Sequence, residues 1–301
     1  MTTTAQALKR LMPLVPTIKR VAAASSRAGL AAVQVHPSGW VGVTDGHRMA
    51  RVHIPGLGGD VVHDLPLEGL ALAVKGEKQA WDYLRGEDRD SHARCPDLHS
   101  LKCDGPYVEW SIDHRIEETL KSIILAKRQE YVRARAIWVA DFSAQAKALE
   151  EQAKAANDRL KAFPRPAKGD IAGAKAYQEA KRAHGSERGR IAREKRLLQG
   201  RREKAAPSES YGIKLVPGST GLMVDVGIEI PTWIKLADWI PRSAQPDTQV
   251  GVDARYLLDA IKAMRGKGGT VISISQKDAC GVIKVAPLGE DAYSLVMPMR
   301  I

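Results

Sequence analysis

The stretch Thr44-Asp45-Gly46-His47-Arg48-Met49 decides how the first part of this chain folds. It lies between two short runs rich in β-branched and apolar residues, Trp40 to Val43 and Met49 to Ile54. Asp and Gly favour turns, because Asp can bond its own backbone and Gly tolerates unusual backbone angles. The stretch therefore predicts a tight turn between two paired strands, and a third β-like run, Leu30 to Val35, precedes them across His36-Pro37-Ser38-Gly39.

The order of a helix followed by strands recurs along the chain. Its clearest copy has a strand at 249–252, a helix at 254–264 and strands near 270–275, 281–286 and 293–297. An earlier copy begins with the apolar helical face of Ala5 to Met12, which Pro13 and Pro16 interrupt. Between them the pattern predicts a strand at Leu70–Val74, a helix at Glu77–Leu84, and hairpins at Leu101–Cys103 with Tyr107–Ile112 and at Ile213–Val216 with Leu222–Val226. The fold class that follows is α+β, built from repeated units of one helix and a small sheet.

A segment of a different kind, 115–206, interrupts these repeats. Apolar residues recur there at steps of three and four from Ile116 to Leu160, which predicts a helix of roughly 70 Å. Phe163-Pro164-Arg165-Pro166 ends it, and a second helix from Asp170 to about Lys204 is expected to fold back with its tip near Lys168-Gly169. Four glycines weaken the second arm, so we expect it to order only when bound. The predicted domains are 1–114, the basic helical hairpin 115–206, a connector 207–247 and a C-terminal half-domain 248–301.

The excess positive charge lies entirely in the hairpin segment. The chain has 46 Lys+Arg and 35 Asp+Glu, a net charge of +11, and segment 115–206 alone holds 23 basic and 12 acidic residues. A basic excess confined to one segment favours an arm that binds a polyanion such as nucleic acid, and a solvated or partner-facing helix is the alternative. The candidate contacts are Lys181, Arg182, Arg188, Arg190, Arg193, Lys195, Arg196, Arg201, Arg202 and Lys204.

Composition indicates a soluble cytoplasmic protein. With 301 residues and 44% apolar composition the chain can bury one or two ordinary cores. The first 20 residues lack the apolar region of a signal peptide, and nowhere do 18 uncharged apolar residues run together. Three cysteines argue against a disulfide framework.

No pattern for catalysis or for a cofactor emerges. His47 has no nucleophile or orienting carboxylate at a recognisable spacing, and no phosphate-cradling glycine motif is present. His92, Cys95, His99 and Cys103 form one metal-like cluster, but their intervals do not match a common zinc module, and a polar loop is the preferred interpretation. We therefore predict a protein that is not an enzyme, with no cofactor and no metal.

The C-terminal segment Tyr293 to Ile301 predicts a strand that ends in a sulfur-rich apolar surface. A site for a short peptide needs an apolar trough that desolvates anchor side chains and polar groups that fix orientation. Flexible thioethers suit a trough that accepts several partners. Each motif alone is more simply structural, because Thr-Asp-Gly is a common turn and the methionines could be core residues; only the combination indicates a site. The predicted trough is Leu30, Met49, Leu295, Met297, Pro298, Met299 and Ile301, and the predicted rim is Arg27, Thr44, His47, Arg48, Tyr256 and Arg300.

Four stretches together resemble the bacterial sliding clamp family, the beta subunit of the replicative DNA polymerase. They are Arg27-Ala28-Gly29-Leu30, Val43 to Ala50, Asp253 to Ile261, and Tyr293 to Ile301 with its Met-Pro-Met-Arg ending. The resemblance implies a ring whose helices surround DNA and whose outer pocket binds peptides of polymerases and other replication or repair proteins. It also places Gly46, Pro231, Ala279 and Gly281 in that pocket.

The resemblance covers 1 to about 112 and about 228 to 301, so the chain is expected to be a divergent, truncated clamp, with a phage or other mobile element as the hypothetical origin. It is expected to lack the family's first domain and part of the last, and closing a ring would need three or four copies. Double-stranded DNA, a polymerase, other clamp-binding proteins and a clamp loader are the expected partners. The further DNA candidates, which could also be a solvated helix face, are Lys9, Arg10, Lys75, Lys78, Arg255, Lys262, Arg265 and Lys267.

Two rival hypotheses stand beside the processivity factor. The first is an adaptor or decoy that does not encircle DNA and captures clamp-binding proteins, with the basic hairpin binding nucleic acid. The second is a zinc-dependent nucleic-acid module.

Overall fold

The structure is a computed structural model, and it describes residues 4–24, 32–57, 62–75, 108–112, 115–168, 170–218, 221–225, 233–239, 249–265, 272–276, 282–287 and 291–299. The chain divides into two compact units. Unit 1 comprises 1–127 and 211–301, and unit 2 comprises 128–210.

Unit 1 begins with short helices whose apolar side chains are buried in its core. Helix α1 is Thr4–Lys9, a single 3-10 turn follows at Met12–Leu14, and α2 is Val15–Ala24. Leu8, Leu11 and Ile18 are buried, so the apolar stripe continues through the prolines. The predicted interruption is present at Pro13, which lies in the 3-10 turn between α1 and α2, but Pro16 does not interrupt a helix. Pro16 is the second residue of α2, where its missing N–H is not needed.

The strands of unit 1 form one antiparallel sheet. In chain order they are β1 Ala32–Val35, β2 Trp40–Thr44, β3 Arg48–His53, β4 His63–Pro66, β5 Val108–Ile112, β6 Gly212–Gly218, β7 Gly221–Asp225, β8 Trp233–Trp239, β9 Val250–Asp253, β10 Ile272–Gln276, β11 Ile283–Pro287 and β12 Ala292–Val296. Their order across the sheet is β4-β1-β2-β3-β12-β11-β10-β5-β8-β7-β6-β9. Helix α3, Leu67–Val74, follows β4 directly, so the strand predicted at Leu70–Val74 is a helix.

The last part of unit 1 contains two complete copies of a strand, a helix and three strands. The first copy is β5, the start of α4 (Ile116–Ala162), β6, β7 and β8; the second is β9, α6 (Ala254–Arg265), β10, β11 and β12. The first strand of each copy pairs with a strand of the other copy: β5 pairs with β10, and β9 pairs with β6. The chain simply carries unit 2 between the helix and the second strand of the first copy.

Both helices of these copies contribute to one core. Leu257 and Ile261 of α6 are buried together with Ile116, Leu120 and Ile123 of α4. The first three turns of α4 thus belong to unit 1, although the sequence analysis assigned them to the inserted hairpin. Burial of such side chains, at about 1.5–3 kcal/mol each, is the main stabilising term of the unit.

Unit 2 is an antiparallel pair of helices, the remainder of α4 and α5 (Ile171–Lys204). Trp138 lies beneath the guanidinium of Arg202, and at the other end Phe163 contacts Tyr177. The Asp170 carboxylate accepts the Gly173 N–H and caps α5. The predicted helical hairpin is confirmed, and the second arm is a continuous helix in spite of its glycines.

Among the described residues, no helix is long and apolar enough to cross a membrane. The helix predicted at Glu77–Leu84, the strand at Leu101–Cys103 and the cluster of His92, Cys95, His99 and Cys103 lie outside the described residues. Strand β8 is not among the strands that the sequence predicted.

Candidate docking site

The turn after β2 and the C-terminal segment lie side by side. Strand β3 pairs with β12 so that Arg48 is opposite Val296 and Met49 is opposite Leu295. Beyond the strand, the Met297 N–H donates to the His47 carbonyl over 2.9 Å. The Met299 N–H then donates to the Gly251 carbonyl of β9, also over 2.9 Å. The C-terminal segment therefore joins the turn at 45–47 to the strand that precedes α6.

Local chemistry fixes the shape of the turn. Gly46 has a φ of +86°, a left-handed conformation that favours glycine. One oxygen of the Asp45 carboxylate accepts the N–H groups of His47 and Arg48, at 2.9 and 3.0 Å. The Thr44 hydroxyl donates to the Arg48 carbonyl and accepts the Gly46 N–H. Thr44 thus holds the turn from inside and is buried, whereas the sequence analysis placed it on the rim.

Arg48 is a buried support of the site rather than a rim residue. Its guanidinium contacts Asp45 at 3.1 Å and Asp259 of α6 at 2.5 Å, and its side chain is 1% exposed. It also lies 4.7 Å from the centre of the Tyr256 ring. Charges withdrawn from water are tolerated only when they are paired, so Arg48 ties the turn to α6 with two charge-assisted contacts.

A row of flat side chains runs along the start of α6. The rings of His47 and Tyr256 are stacked, with centroids 5.6 Å apart and an interplanar angle of 17°. Next comes Arg255, whose guanidinium lies 4.0 Å from the centre of the Tyr211 ring and bonds the Asp253 carboxylate at 2.7 Å. Burial raises the pKa of the Tyr256 phenol, and the negative charges of Asp45 and Asp253 raise it further. The phenol therefore stays neutral at physiological pH and remains a hydrogen-bond donor.

The apolar residues predicted for the trough fall into two groups. Met49 and Leu295 are 3% and 4% exposed and pack in a small cluster with Val282 and Tyr293. By contrast, Met297 is 48% exposed and Met299 is 36% exposed. The first pair supports the sheet, and the two C-terminal methionines offer the apolar surface that a partner could cover.

The site also contains residues that the sequence analysis did not single out. Tyr211, Asp253 and Asp259 complete the cation and ring contacts described above. Asp259 was part of a quoted motif, but nothing local indicates its pairing with a residue 211 positions earlier. The other predicted pocket residues, Arg27, Leu30, Pro231, Ala279, Gly281, Arg300 and Ile301, lie outside the described residues.

The candidate DNA contacts of unit 1 are placed in different environments. Lys9, Lys75 and Lys262 are exposed. Arg10 is buried and donates to the Met264 carbonyl at 2.5 Å, so this predicted DNA contact is a structural residue. Two further candidates are engaged in ion pairs, Arg255 with Asp253 and Arg265 with Glu117, and Lys78 and Lys267 lie outside the described residues.

In unit 2, every predicted cation of α5 from Lys181 to Lys204 is exposed. Three of them have partners, namely Arg188 with Asn157, Arg190 with Glu194, and Arg202 with Trp138. Within the part of the chain that the structure describes, no group of three or more His, Cys, Asp or Glu residues is arranged to hold a metal ion.

Comparison with known proteins gave matches among solved structures alone. No protein-family model matches the chain, and no curated protein does. The beta clamp of Helicobacter pylori, solved with a DNA ligase peptide, superposes with a TM-score of 0.49 at 11% identity, over 99% of this chain and 63% of that clamp. This chain is similar to bacterial sliding clamps.

Other sliding clamps give similar values. The beta subunit of Streptococcus pyogenes DNA polymerase matches with a TM-score of 0.48 at 12% identity, over 100% of this chain and 67% of that one. The Bacillus subtilis sliding clamp matches with a TM-score of 0.48 at 14% identity, over 99% and 63%. The chain thus spans about 63% of the length of the Helicobacter and Bacillus clamps. At these identities and TM-scores the likeness concerns the fold and says nothing of partners.

Proposed function

We propose that the protein is a non-enzymatic processivity factor of the sliding-clamp type. In this proposal it binds duplex DNA without sequence preference and docks a DNA polymerase or another replication or repair protein. The docking surface is formed by the turn at 45–47, the start of α6 and the C-terminal methionines. The partner's contribution is a short peptide segment with apolar anchor side chains.

One observation carries the docking proposal. Met297 and Met299 are held by backbone hydrogen bonds to two different elements, yet about half and a third of their surfaces remain exposed. Fixed backbone with exposed, adaptable thioethers lowers the ordering cost of binding and still allows different anchors. His47 is exposed beside them and is oriented by its stack on Tyr256. The surface therefore combines apolar area with a positioned polar group.

A labelled peptide carrying a clamp-binding motif tests the docking proposal. We expect His47→Ala and a deletion of residues 299–301 each to weaken its binding in a fluorescence anisotropy titration. His36→Ala is the matched control. It removes the same kind of side chain from the turn between β1 and β2, which is not part of the proposed docking surface. Unchanged affinity in both variants, with circular dichroism showing folded protein, would remove the docking site from the proposal.

The DNA part of the proposal rests on exposed lysines that make weak phosphate contacts. Lys9, Lys75 and Lys262 lie on or directly after helices of unit 1 and are exposed. A factor that moves along DNA needs contacts to phosphates rather than to bases, because base contacts would fix it at one sequence. We expect replacement of all three lysines by Gln to weaken duplex binding equally for unrelated sequences.

A second candidate function is a clamp-like adaptor that does not encircle DNA. The distribution of charge favours it. Segment 128–210 has 20 basic and 11 acidic residues, whereas the rest of the chain has 26 and 24. Retention on closed circular and linear DNA separates the two, since a ring slides off free ends and an adaptor dissociates equally from both. Light scattering with and without DNA gives the subunit number that a ring requires.

A further inference from the structure

We propose that the outer face of α5 is a separate binding surface for duplex DNA. This inference rests on the nucleic-acid role in the proposed function, and it assigns that role in unit 2 to one defined helix face. The ligand chemistry is the sugar-phosphate backbone of a double helix. We call this surface the α5 cation face; its residues are Lys175, Arg182, Arg193, Arg196 and Lys204.

Helical geometry separates the cation face from the packed side of α5. Tyr177, His184, Ile191 and Leu198 recur at seven-residue intervals and are buried or half-buried, so they mark the side that packs on α4. At about 100° per residue, the five residues of the cation face fall within about 50° of the opposite side. All five are exposed.

The positive charge of this face is not neutralised by neighbouring carboxylates. Glu187 pairs with Arg159 at 2.6 Å and Glu194 pairs with Arg190 at 2.6 Å. Within the described part of the chain, no residue of the cation face makes an ion pair. By the same helical geometry, Glu179 and Glu203, the other two acidic residues of α5, lie about 50° and about 70° from the centre of the face, and neither makes an ion pair with it. A row of unpaired cations on one helix face concentrates the potential that attracts phosphates.

Three glycines lie on the same side of α5 and leave room beside the cations. A Cβ added at Gly185, Gly189 or Gly200 would meet nothing within 4 Å, so packing within the protein does not require glycine there. Each glycine costs the helix about 1 kcal/mol relative to alanine. Without side chains at these positions, a phosphate backbone can approach the helix closely between the arginines.

The same face favours duplex DNA over a single strand. Proteins that hold single strands stack bases on aromatic side chains. The one aromatic residue of α5, Tyr177, packs against Phe163 on the other side of the helix. The helix is about 50 Å long, and its cations are held in a rigid row, which suits the regular phosphates of a duplex.

Full-length protein and a 30-base-pair fluorescein-labelled duplex of mixed sequence test the inference. The variant combines Arg182→Gln, Arg193→Gln and Arg196→Gln. The control combines Arg133→Gln, Lys147→Gln and Lys154→Gln, three exposed cations of α4, and removes the same charge. We expect a loss of at least tenfold in affinity for the first variant and less than threefold for the control. The slope of log K against log salt should become shallower by about 2.7, since each phosphate contact contributes about 0.9.

A charge-neutral variant separates binding from folding. Gly189→Leu adds a good helix former where space is open, so we expect the melting temperature to stay or rise while DNA affinity falls. Ala144→Leu on α4 is the control, and it should leave affinity unchanged. A fall in both stability and affinity for Gly189→Leu would mean that the glycine is structural, and this would overturn its assigned role.

Other outcomes distinguish this inference from the proposed function. One outcome is wild-type DNA affinity in the triple arginine variant together with weaker binding in the variant of Lys9, Lys75 and Lys262. This result would overturn the cation face as a DNA-binding surface and would leave the proposed clamp-like role in place. Tighter binding of a 30-nucleotide single strand than of the duplex would also overturn it. Peptide docking measured on the same variants should be unchanged, because the docking surface belongs to unit 1.

Discussion

Truncation of Met297 should weaken peptide docking without unfolding the protein. Full burial of a methionine side chain is worth about 1.5–3 kcal/mol. Met297 is 48% exposed in the free protein, so a docked peptide can bury only this exposed half of the side chain. Burial of that half is worth about 0.7–1.5 kcal/mol. Met297→Ala should therefore raise the dissociation constant about 3- to 12-fold.

Truncation of Met49, in the same site, should instead lower the stability of the folded protein. It is 3% exposed and packed against Leu295, so Met49→Ala leaves a cavity and should cost about 2–5 kcal/mol of stability. Urea denaturation should separate the two variants, with Met297→Ala within about 1 kcal/mol of wild type.

Fluorescence anisotropy with the labelled peptide measures the affinities, and Leu72→Ala is the control. Leu72 is 41% exposed on α3, so its truncation removes comparable apolar surface elsewhere in unit 1. A dissociation constant within twofold of wild type for Met297→Ala would refute the reasoning. So would an equal loss of affinity for Leu72→Ala, since the effect would then not be local.

Three further changes test the interior of each unit. Arg48→Met should lower the free energy of unfolding by about 3–5 kcal/mol, because it leaves the Asp45 carboxylate buried without its cation. Urea denaturation measures this change. A loss below about 1 kcal/mol would contradict a stabilising role for the buried Arg48–Asp45 ion pair. Because the pKa of Tyr256 is raised in the folded state, its stabilising contribution is complete below about pH 10 and is lost as pH rises through the folded-state pKa. Tyr256→Phe should therefore make the melting temperature less sensitive to pH above about 10. Melting temperatures that fall in parallel with pH for both proteins would contradict this. Ile191→Ala, at a residue 3% exposed, should cost unit 2 about 2–5 kcal/mol and speed hydrogen exchange there, and an unchanged exchange rate across 171–204 would show that the helix pair does not depend on this contact.

The best sequence predictions concern elements whose cause is local. The turn after β2 was predicted because Asp and Gly carry their turn chemistry with them, and the structure shows Gly46 at positive φ. Helix α6 was predicted because its apolar residues recur at helical spacing. The failures have physical reasons too. The apolar run Leu70–Val74 has no periodicity that distinguishes a buried strand from a helix, and Pro16 was taken as a break although it occupies the first turn of α2.

The sequence predicted several residues of the candidate site, but it did not predict which of them are buried and which are exposed. The sequence placed Arg48, Met49 and Leu295 on an open surface, but all three are buried, and they support the exposed Met297 and Met299. Whether a cation or a thioether faces solvent depends on what packs around it, and for Arg48 the covering residue is Asp259 of a distant helix. No local pattern carries that information.

The turn, the helical periodicities and the concentration of positive charge in one segment are evident from the sequence, because each depends on residues that lie close together in the chain. The pairing of β3 with β12, the two copies in the last part of unit 1 and the cations without an ion pair among the described residues became evident from the three-dimensional structure alone. These features depend on strand pairing and close packing between residues that lie up to about 250 positions apart in the chain. Contacts of that kind are selected by the fit of the whole core, and a local stretch of sequence does not specify them.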